Sequence, residues 1–519
     1  MAVDLTSNRF DPGWGTAVFL SFAFVYLFFT LFLFPATPIF FENDHFIQMY
    51  DSVRMIEGEV LYKDFFQFTF PGTEVWYLIL FTIFGERIWL LNATIVLLGL
   101  SIAATMLAIS RRLMSGVYVY IAPSIFLFFG FRWYGMDGGH RLFSCLFATL
   151  AMLVVLDKTT RGRLAAAGAF SALTAFFTQN RGVGIVAAIA IFLVCEFIWF
   201  KKGERVGDLV TSLATFGGSF AVTLLMLIGY FLITAGVGTF IESTLLFASS
   251  YNADPLNNSN LYFHFWYTLF TGTFNRSSVL IDLFYYLLVP AVYILPVIFY
   301  FIKKPVATEL WRKVMLLCVS GLLLFLVTTG LNSVRLYHVA MPGIVLIVLW
   351  AYRSSLKSIA LAGTGVIVAA SLALCIWTQV KPHPDVTELP TGRVVFTSDA
   401  AGEKYRWINN NTEPGDLVFE PYRTVVNFPL MVRNPTSFAM LRSNDYTPAE
   451  HVSTVIRQLE AQPPRLILWD GKWSLPPGMR PANDHLGPLY AYLTDNYRLR
   501  ETLTPLYEFN VEVWERVPE

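Results

Sequence analysis

Eleven apolar stretches separated by short polar segments fill the first 380 residues and constrain the fold more than any other feature. A helix needs about 20 apolar residues to cross the hydrocarbon core of a bilayer. The sequence therefore predicts an α-helical polytopic membrane protein with about 11 transmembrane helices. We place these helices at 15–37, 87–109, 116–132, 139–156, 164–179, 182–200, 209–233, 280–302, 311–330, 337–352 and 358–379.

The charged residues are unevenly distributed along the chain. They make up only 14% of all residues, and nearly half of them follow residue 380. Soluble proteins are about 25% charged. We therefore predict a transmembrane domain at 1–380 and a small, water-exposed α/β domain at 381–519. The net charge of zero gives no overall field that would favour nucleic acid as a partner.

Basic residues predict the orientation, because Lys and Arg favour cytoplasmic loops. They cluster in alternate loops, at Arg111-Arg112, 157–163, Lys201-Lys202, Lys303-Lys304, and Arg353 with Lys357. This alternation predicts a multi-pass protein of the inner (cytoplasmic) membrane, with the N-terminus inside and the C-terminal domain extracytoplasmic. The first outer loop is then 38–86, and the Asn-rich stretch 251–260 lies in a later outer loop.

The first outer loop begins with FENDHFIQMYDS (41–52), in which Glu42 and Asp44 are two positions apart. Apolar residues then recur at helical spacing up to Gly58, which predicts a short amphipathic helix along the outer interface. Asn43 or Asp44 could simply cap this helix. Alternatively, a carboxylate held ionised at a helix N-terminus suits a base or a metal ligand, and Glu42 could hold Asp44 in place.

Further polar side chains gather at the predicted outer helix ends. Asp137 lies beside glycines in WYGMDGGHR, where it could form an ordinary turn or contribute to a site. The cations at these ends are Arg335, Arg181, Lys63, His338, His140 and Arg141. A single arginine there commonly extends to the lipid headgroups, whereas several together suit a phosphate.

This balance of acids and cations favours one type of reaction. Glycosidases need two carboxylates, because a sugar oxygen leaves poorly without a general acid. A phosphate leaving group is already a stable anion and needs cations, together with one base for the incoming hydroxyl. One or two acids with several cations therefore favour transfer from a sugar phosphate.

Three stretches resemble the integral-membrane glycosyltransferases of the C-type (GT-C) fold, which use polyprenyl-phosphate-linked sugars at the outer face. They are the acidic motif Glu42-Asn43-Asp44 with its helix, GEVLYKDFFQFTFPG (58–72) before the second membrane helix, and VRLYHVAMPG (334–343) late in the membrane domain. The likeness is to the bacterial branch akin to the protein O-mannosyltransferases and the lipid A aminoarabinose transferase.

The resemblance implies a hexosyl- or pentosyltransferase acting by inverting displacement on a glycan, lipid or protein hydroxyl. Asp44, with Glu42, would act on the acceptor. Arg335 would stabilise the donor phosphate, with Lys63, Arg181 and His338 as further candidates. The secondary candidates are Asp137, His140, Arg141 and Tyr337.

Two departures from the family pattern leave metal dependence open. The first motif reads Glu-x-Asp, and Tyr337 is one place further from Arg335 than is usual. If a metal binds, its ligands would be Glu42, Asp44 and Asp137, and it would be Mg²⁺ or Mn²⁺.

Two other classes of protein also fit a polytopic aromatic chain. A lipid or polysaccharide transporter would depend on residues near the membrane midplane and would tolerate Asp44→Asn. A scaffold with a binding module would depend on the region after Lys381 instead. Neither class accounts for acids and cations at the outer helix ends.

Overall fold

The structure is a computed structural model. It describes residues 13–201, 203–249, 266, 269–271, 282–303, 308–330, 332–444, 446–471, 483–504 and 510–517. The outer-loop stretch 251–260 lies outside the described residues.

Helices occupy the predicted apolar stretches. The first ten are α1 (Trp14–Leu31), α2 (His45–Ile56), α3 (Gly72–Phe84), α4 (Trp89–Ser110), α5 (Gly116–Gly135), α6 (His140–Val155), α7 (Arg161–Phe177), α8 (Gln179–Trp199), α9 (Val206–Thr234) and α10 (Val237–Ser249). The later helices are Val289–Lys303, Glu309–Leu326, Ser333–Tyr337, Met341–Arg353, Lys357–Val380, Asp399–Asn411, Asn427–Leu430, Ala449–Ala461 and Gly487–Asn496.

Within the described residues, six helices are long and apolar enough to cross a membrane, namely α1, α4, α5, α8, α9 and Lys357–Val380. The chain is therefore a multi-pass membrane protein. Shorter apolar helices, among them α6 and Met341–Arg353, coincide with other predicted spans, and the total of eleven stays a prediction. The first span is shorter than predicted, because α1 ends at Leu31 and the strands β1 (Phe32–Leu33) and β2 (Thr37–Pro38) follow it.

The chain divides into two compact units that differ from the predicted 1–380 and 381–519. The helical unit comprises Met1–Thr30, Ala93–Ile228 and Pro255–Val380. The mixed unit comprises Leu31–Asn92, Gly229–Asp254 and Lys381–Glu519. The first outer loop and the C-terminal region thus belong to one compact unit. Whether 381–519 is a separate extracytoplasmic domain stays a prediction.

The mixed unit contains the strands of the C-terminal region, in keeping with the α/β character predicted for 381–519. A short hairpin joins β3 (Thr387–Leu389) to β4 (Gly392–Val394). The main sheet has the order β5-β6-β8-β7, with β5 (Val418–Phe419) parallel to the fully buried β6 (Leu466–Asp470). The closing hairpin of β7 (Tyr497–Leu503) and β8 (Val511–Arg516) is antiparallel.

The helix predicted after Asp44 is confirmed, but it does not lie along a surface. Nine of the twelve residues of α2 are buried, including the polar Gln48, Asp51 and Ser52. Ser52 donates to the backbone oxygen of Glu74 at 2.9 Å, which ties α2 to α3. Gly58 has a positive φ of 97° and follows the end of the helix, a conformation that glycine adopts without steric cost. The loop that carries Glu42 and Asp44 is therefore attached to a well-packed helix pair.

The helical unit packs its helices closely where small residues allow it. Ser219 of α9 donates to the backbone oxygen of Ala165 in α7 at 2.7 Å. At Gly168, one turn further along α7, a Cβ atom would collide with the backbone of α9 at Phe216 and Phe220. Close backbone approach through small residues is typical of helices in membranes.

Candidate functional site

The side chain of Asp44 does not cap α2. It makes no capping hydrogen bond at the helix N-terminus. Its Oδ1 atom instead accepts from Nη1 of Arg423 at 3.2 Å. The side chain remains 44% exposed. Asp44 is thus an accessible carboxylate held from the side by a guanidinium, which is compatible with a role in chemistry.

Glu42 is held more tightly by residues of the C-terminal region. Its Oε1 accepts from Nη2 of Arg423 at 3.2 Å, and its Oε2 lies 2.9 Å from Nζ of Lys404. The hydroxyl of Tyr405 donates to the same Oε2 at 2.7 Å. Only 17% of the Glu42 side chain is exposed. The geometry suits a carboxylate that anchors the loop.

Glu420 completes this network of charges within the mixed unit. Its Oε1 accepts from Nζ of Lys404 at 3.0 Å. Its Oε2 accepts from the backbone N–H groups of Val425 and Val426 at 3.0 and 3.2 Å. Glu420 therefore closes the backbone turn that contains Arg423. We call Glu42, Asp44, Lys404, Tyr405, Glu420 and Arg423 the acidic-loop clamp.

Electrostatic interactions within the clamp favour the charged forms of Glu42 and Lys404. Burial opposes the ionisation of Glu42 most strongly, but the charges of Lys404 and Arg423 outweigh it and hold the pKa of Glu42 below its usual value. Burial likewise opposes the charge on Lys404, and the two glutamates outweigh it, so the pKa of Lys404 is raised. Burial and the neighbouring Glu42 raise the pKa of Glu420.

Sequence analysis missed four members of the clamp: Lys404, Tyr405, Glu420 and Arg423. Glu420 and Arg423 lie in the stretch EPYR, directly after the buried strand β5. Polar residues at the end of a buried strand were an available signal. The pairing of Arg423 with Asp44 and Glu42, however, joins positions 379 and 381 residues apart.

The acidic loop does not fit a Mg²⁺ or Mn²⁺ site built on Glu42 and Asp44. Both carboxylates share the guanidinium of Arg423, and Glu42 also contacts the ammonium of Lys404. A divalent ion between them would face two cations at close range. Among the described residues, no group of three or more His, Cys, Asp or Glu side chains could hold a metal ion. We therefore assign no chemical step to a metal.

The helical unit brings together the remaining predicted polar residues, apart from Lys63. Asp137 accepts from Nη1 of Arg141 at 2.8 Å and from the backbone N–H of Gly139 at 2.9 Å. The Nδ1 atom of His140 lies 2.8 Å from the hydroxyl of Thr178. Asp137 thus forms a turn and an ion pair, and its contribution to a site stays a prediction.

Arg181 is the least neutralised charge in this group. It is 5% exposed, and within the described part of the chain it donates only to neutral oxygens, the backbone of Arg141 at 2.8 Å and the hydroxyl of Ser144 at 2.9 Å. The buried Nε2 of His338 has no hydrogen-bond partner among the described residues, and Arg181 and His338 both line a small cavity of about 10 Å³. Buried charges normally have a counter-ion, so Arg181 indicates a site for an anion.

Arg335 contributes to the same positive region. It lies in the short helix Ser333–Tyr337, donates to the backbone of Thr329, and acts electrostatically on Arg181 and His140. We call Arg141, Arg181, Arg335, His140, His338 and Asp137 the cationic cluster. Three arginines here face one carboxylate of the cluster, which leaves an excess of positive charge.

Tyr337 and Lys63 lie in different surroundings. Tyr337 is fully buried, stacks on Phe126 and donates to the backbone oxygen of that residue at 3.2 Å. These contacts are those of a residue that packs in the hydrophobic core. Lys63 belongs to the mixed unit, where it is exposed in a turn and makes no hydrogen bond or ion pair with Glu42 or Asp44.

A second set of charges lies at the other end of α6. Arg112 pairs with Asp157 at 2.7 Å, so two loops that the topology assigns to the cytoplasm are adjacent. Arg312 contacts Glu196 and donates to the backbone oxygens of Val155 and Leu156. His140 and the cationic cluster lie at the opposite end of this helix. The separation follows the predicted alternation of loops, and which end faces the cytoplasm stays a prediction.

A buried acid pair, absent from the sequence-based hypotheses, joins α2 to α3. Gln67 donates to Asp51 at 3.2 Å and to Glu74 at 3.4 Å. Both acids are fully buried. The other oxygen of each carboxyl group has no hydrogen-bond partner among the described residues.

Comparisons with known proteins connect this architecture to membrane glycosyltransferases. No protein-family model matches the sequence, and no curated protein matches it. Among solved structures, ArnT from Cupriavidus metallidurans, bound to undecaprenyl phosphate, has a TM-score of 0.57 at 11% identity, covering 96% of this chain and 98% of that chain. AglB, an oligosaccharyltransferase from Archaeoglobus fulgidus in complex with an inhibitory peptide and a dolichol-phosphate, has a TM-score of 0.53 at 10% identity, covering 88% and 69%.

These similarities define the class of fold. The chain has the fold of the C-type integral-membrane glycosyltransferases, as the resemblance of its motifs implies. At 10% to 11% identity, the likeness to ArnT and AglB is one of fold.

Proposed function

We propose that the protein transfers a sugar from a polyprenyl-phosphate donor to a hydroxyl group of a glycan, lipid or protein at the outer face of the membrane. The buried Arg181 of the cationic cluster, which makes no ion pair within the described part of the chain, is the observation that carries this proposal, because an anionic ligand would stabilise its charge. The fold supports the same class of donor, since the similar ArnT was solved with undecaprenyl phosphate.

The proposed step is a single displacement with inversion at the anomeric carbon. The acceptor oxygen forms a bond to this carbon while the bond from the carbon to the phosphate oxygen breaks. Asp44 takes the proton of the acceptor hydroxyl. Arg181 and Arg335, with His338, stabilise the polyprenyl phosphate that leaves as an anion.

Asp44 is assigned the base because it is the accessible carboxylate of the acidic loop, whereas Glu42 is mostly enclosed by its partners. Asp137 is buried and paired with Arg141, and Lys63 makes no hydrogen bond or ion pair with Glu42 or Asp44 among the described residues. We keep Lys63 as a candidate for donor binding and Asp137 as the residue that orients Arg141.

The first arm of the test compares sugar transfer by wild type, Asp44→Asn and Glu57→Gln in lipid nanodiscs, with a panel of polyprenyl-phosphate sugars. Glu57 is the exposed residue directly after α2 and serves as the matched control. We expect at least a 100-fold loss of kcat in Asp44→Asn, with donor binding retained and Glu57→Gln unchanged. Full activity in Asp44→Asn would exclude it as the base.

The second arm addresses the donor phosphate through Arg181→Gln, with the exposed Arg161→Gln of α7 as its control. A hydrogen bond to a charged group is worth about 1.5–3 kcal/mol, so we expect kcat/KM for the donor to fall by about 10- to 150-fold. EDTA should leave wild-type transfer unchanged. Normal kcat/KM in Arg181→Gln would remove the phosphate assignment, and transport of lipid-linked sugar without transfer would favour a transporter.

A further inference from the structure

We propose that Arg423 and Lys404 are positioning residues for Asp44, so that the C-terminal region serves to fix the acidic loop for transfer. This inference rests on the proposed function of Asp44. The region after residue 380 would then hold the acidic loop in position, a role distinct from binding the acceptor.

Arg423 contacts both carboxylates of the acidic loop. Its two terminal nitrogens contact different residues, Nη1 with Asp44 and Nη2 with Glu42, each at 3.2 Å. A guanidinium is planar and rigid, so these two contacts fix the separation and orientation of the two carboxylates. An ammonium group could not bridge both in the same way.

Glu420 and Lys404 fix the backbone turn that carries Arg423. Glu420 accepts from the N–H groups of Val425 and Val426 and so closes the turn around Arg423. Lys404 links Glu420 to Glu42 through contacts of 3.0 and 2.9 Å. Glu420 and Lys404 are 7% and 6% exposed. Arg423 is therefore presented from a fixed backbone.

The acidic-loop clamp contains more carboxylates than cations. Three carboxylates, Glu42, Asp44 and Glu420, face the two cations Lys404 and Arg423, and Asp44 is the most exposed of the acids. The guanidinium of Arg423 lies 3.2 Å from Asp44, so removing it changes both the position of this carboxylate and the charge around it. Arg423 contacts Asp44 directly and also holds Glu42 beside it, so we expect its effect on transfer to pass through Asp44.

A purely structural salt bridge would also explain these contacts, and the two roles differ in their readouts. Loss of a structural bridge lowers stability and reduces activity only as far as folded protein is lost. Loss of a positioning residue lowers kcat in protein that remains folded and still binds donor. A displacement of about 1 Å at a catalytic group can cost about 100-fold in rate.

The experiment measures kcat, donor KM and thermal stability in nanodiscs for Arg423→Ala, Arg423→Lys and Lys404→Met. Arg433→Ala is the matched control, because Arg433 is exposed and lies outside the clamp. We expect Arg423→Ala to lower kcat by about 100-fold, with donor KM within about threefold of wild type. Arg423→Lys should restore part of kcat, and free guanidinium should partly rescue Arg423→Ala. A wild-type kcat in Arg423→Ala would overturn the proposal.

Hydrogen exchange of residues 41–46 provides a readout that does not depend on activity. If Arg423 positions the loop, Arg423→Ala should lose protection there while β6 keeps it. Equal protection in wild type and variant would overturn the proposal even if no sugar donor is found. Wild type inactive with every donor, combined with local loss of protection, would instead remove the proposed function and leave the clamp in place.

Discussion

Asp51 illustrates the energetic cost of a single buried carboxyl group in the mixed unit. Burial raises the pKa of Asp51 to about 7 and that of Glu74 well above its usual value. Gln67 gives each acid one hydrogen bond, while the second oxygen of each has no partner among the described residues. Protonation removes the charge that burial disfavours.

We therefore predict that stability falls as the pH rises from about 4 to 7. In this range the folded protein holds a proton on Asp51 that the unfolded chain has released, so Asp51 alone lowers the free energy of unfolding by up to about 1.4 kcal/mol per pH unit. Asp51→Asn should weaken this dependence, and Glu57→Gln should not. Thermal melting of the three proteins between pH 4 and 8 is the measurement. Parallel melting profiles would show that Asp51 does not titrate in this way.

At the scale of the element, α7 depends on one glycine for its close approach to α9. A Cβ atom on Gly168 would collide with the backbone of Phe216 and Phe220, whereas one on Gly162 of the same helix would meet nothing within 4 Å. A comparison of alanine substitutions at these two positions therefore distinguishes the effect of helix packing on stability from that of intrinsic helix propensity.

We predict that Gly168→Ala destabilises the protein by about 1–3 kcal/mol through overpacking, although alanine is the better helix former. Gly162→Ala should be neutral or slightly stabilising. Thermal or denaturant unfolding in detergent compares the two variants. Equal stability would mean that α9 moves away from α7 without measurable cost.

The elements also show which parts of the structure sequence analysis could predict. Long apolar runs predict helices well, because in a membrane the backbone must satisfy its own hydrogen bonds. The predicted end of the first span was wrong by several residues, because the sequence stays apolar from Phe32 to Phe34 after α1 has ended. The residues around Asp44 were enough to identify it as a candidate site residue. The role of Arg423 could not be predicted, because nothing in the stretch EPYR indicates a contact with a residue 379 positions earlier.

At the scale of the whole molecule, the mixed unit combines distant parts of the chain. The backbone N–H of Phe40 donates to Val395 at 2.8 Å. Phe81 of α3 stacks on Phe428, with ring planes 6° apart. The C-terminal residues thus share their core with residues 31–92.

We predict that residues 381–519 alone do not unfold cooperatively, because Phe396 and Phe428 would lose the aromatic partners that 31–92 supplies. A fusion of 31–92 to 381–519 through a flexible linker should regain a cooperative transition and bind less hydrophobic dye. Circular dichroism melting of the two proteins tests this. A cooperative melt of the isolated fragment would support the predicted domain boundary at 380.

The long separation within the mixed unit has a consequence for the order of events during biosynthesis. Asp44 is synthesised 379 residues before Arg423. At about 5–20 residues per second, the acidic loop lacks its guanidinium partner for roughly 20 to 75 s, while the intervening helices enter the bilayer. The nascent chain therefore carries an incomplete acidic loop, and the clamp can close only after Arg423 has been synthesised.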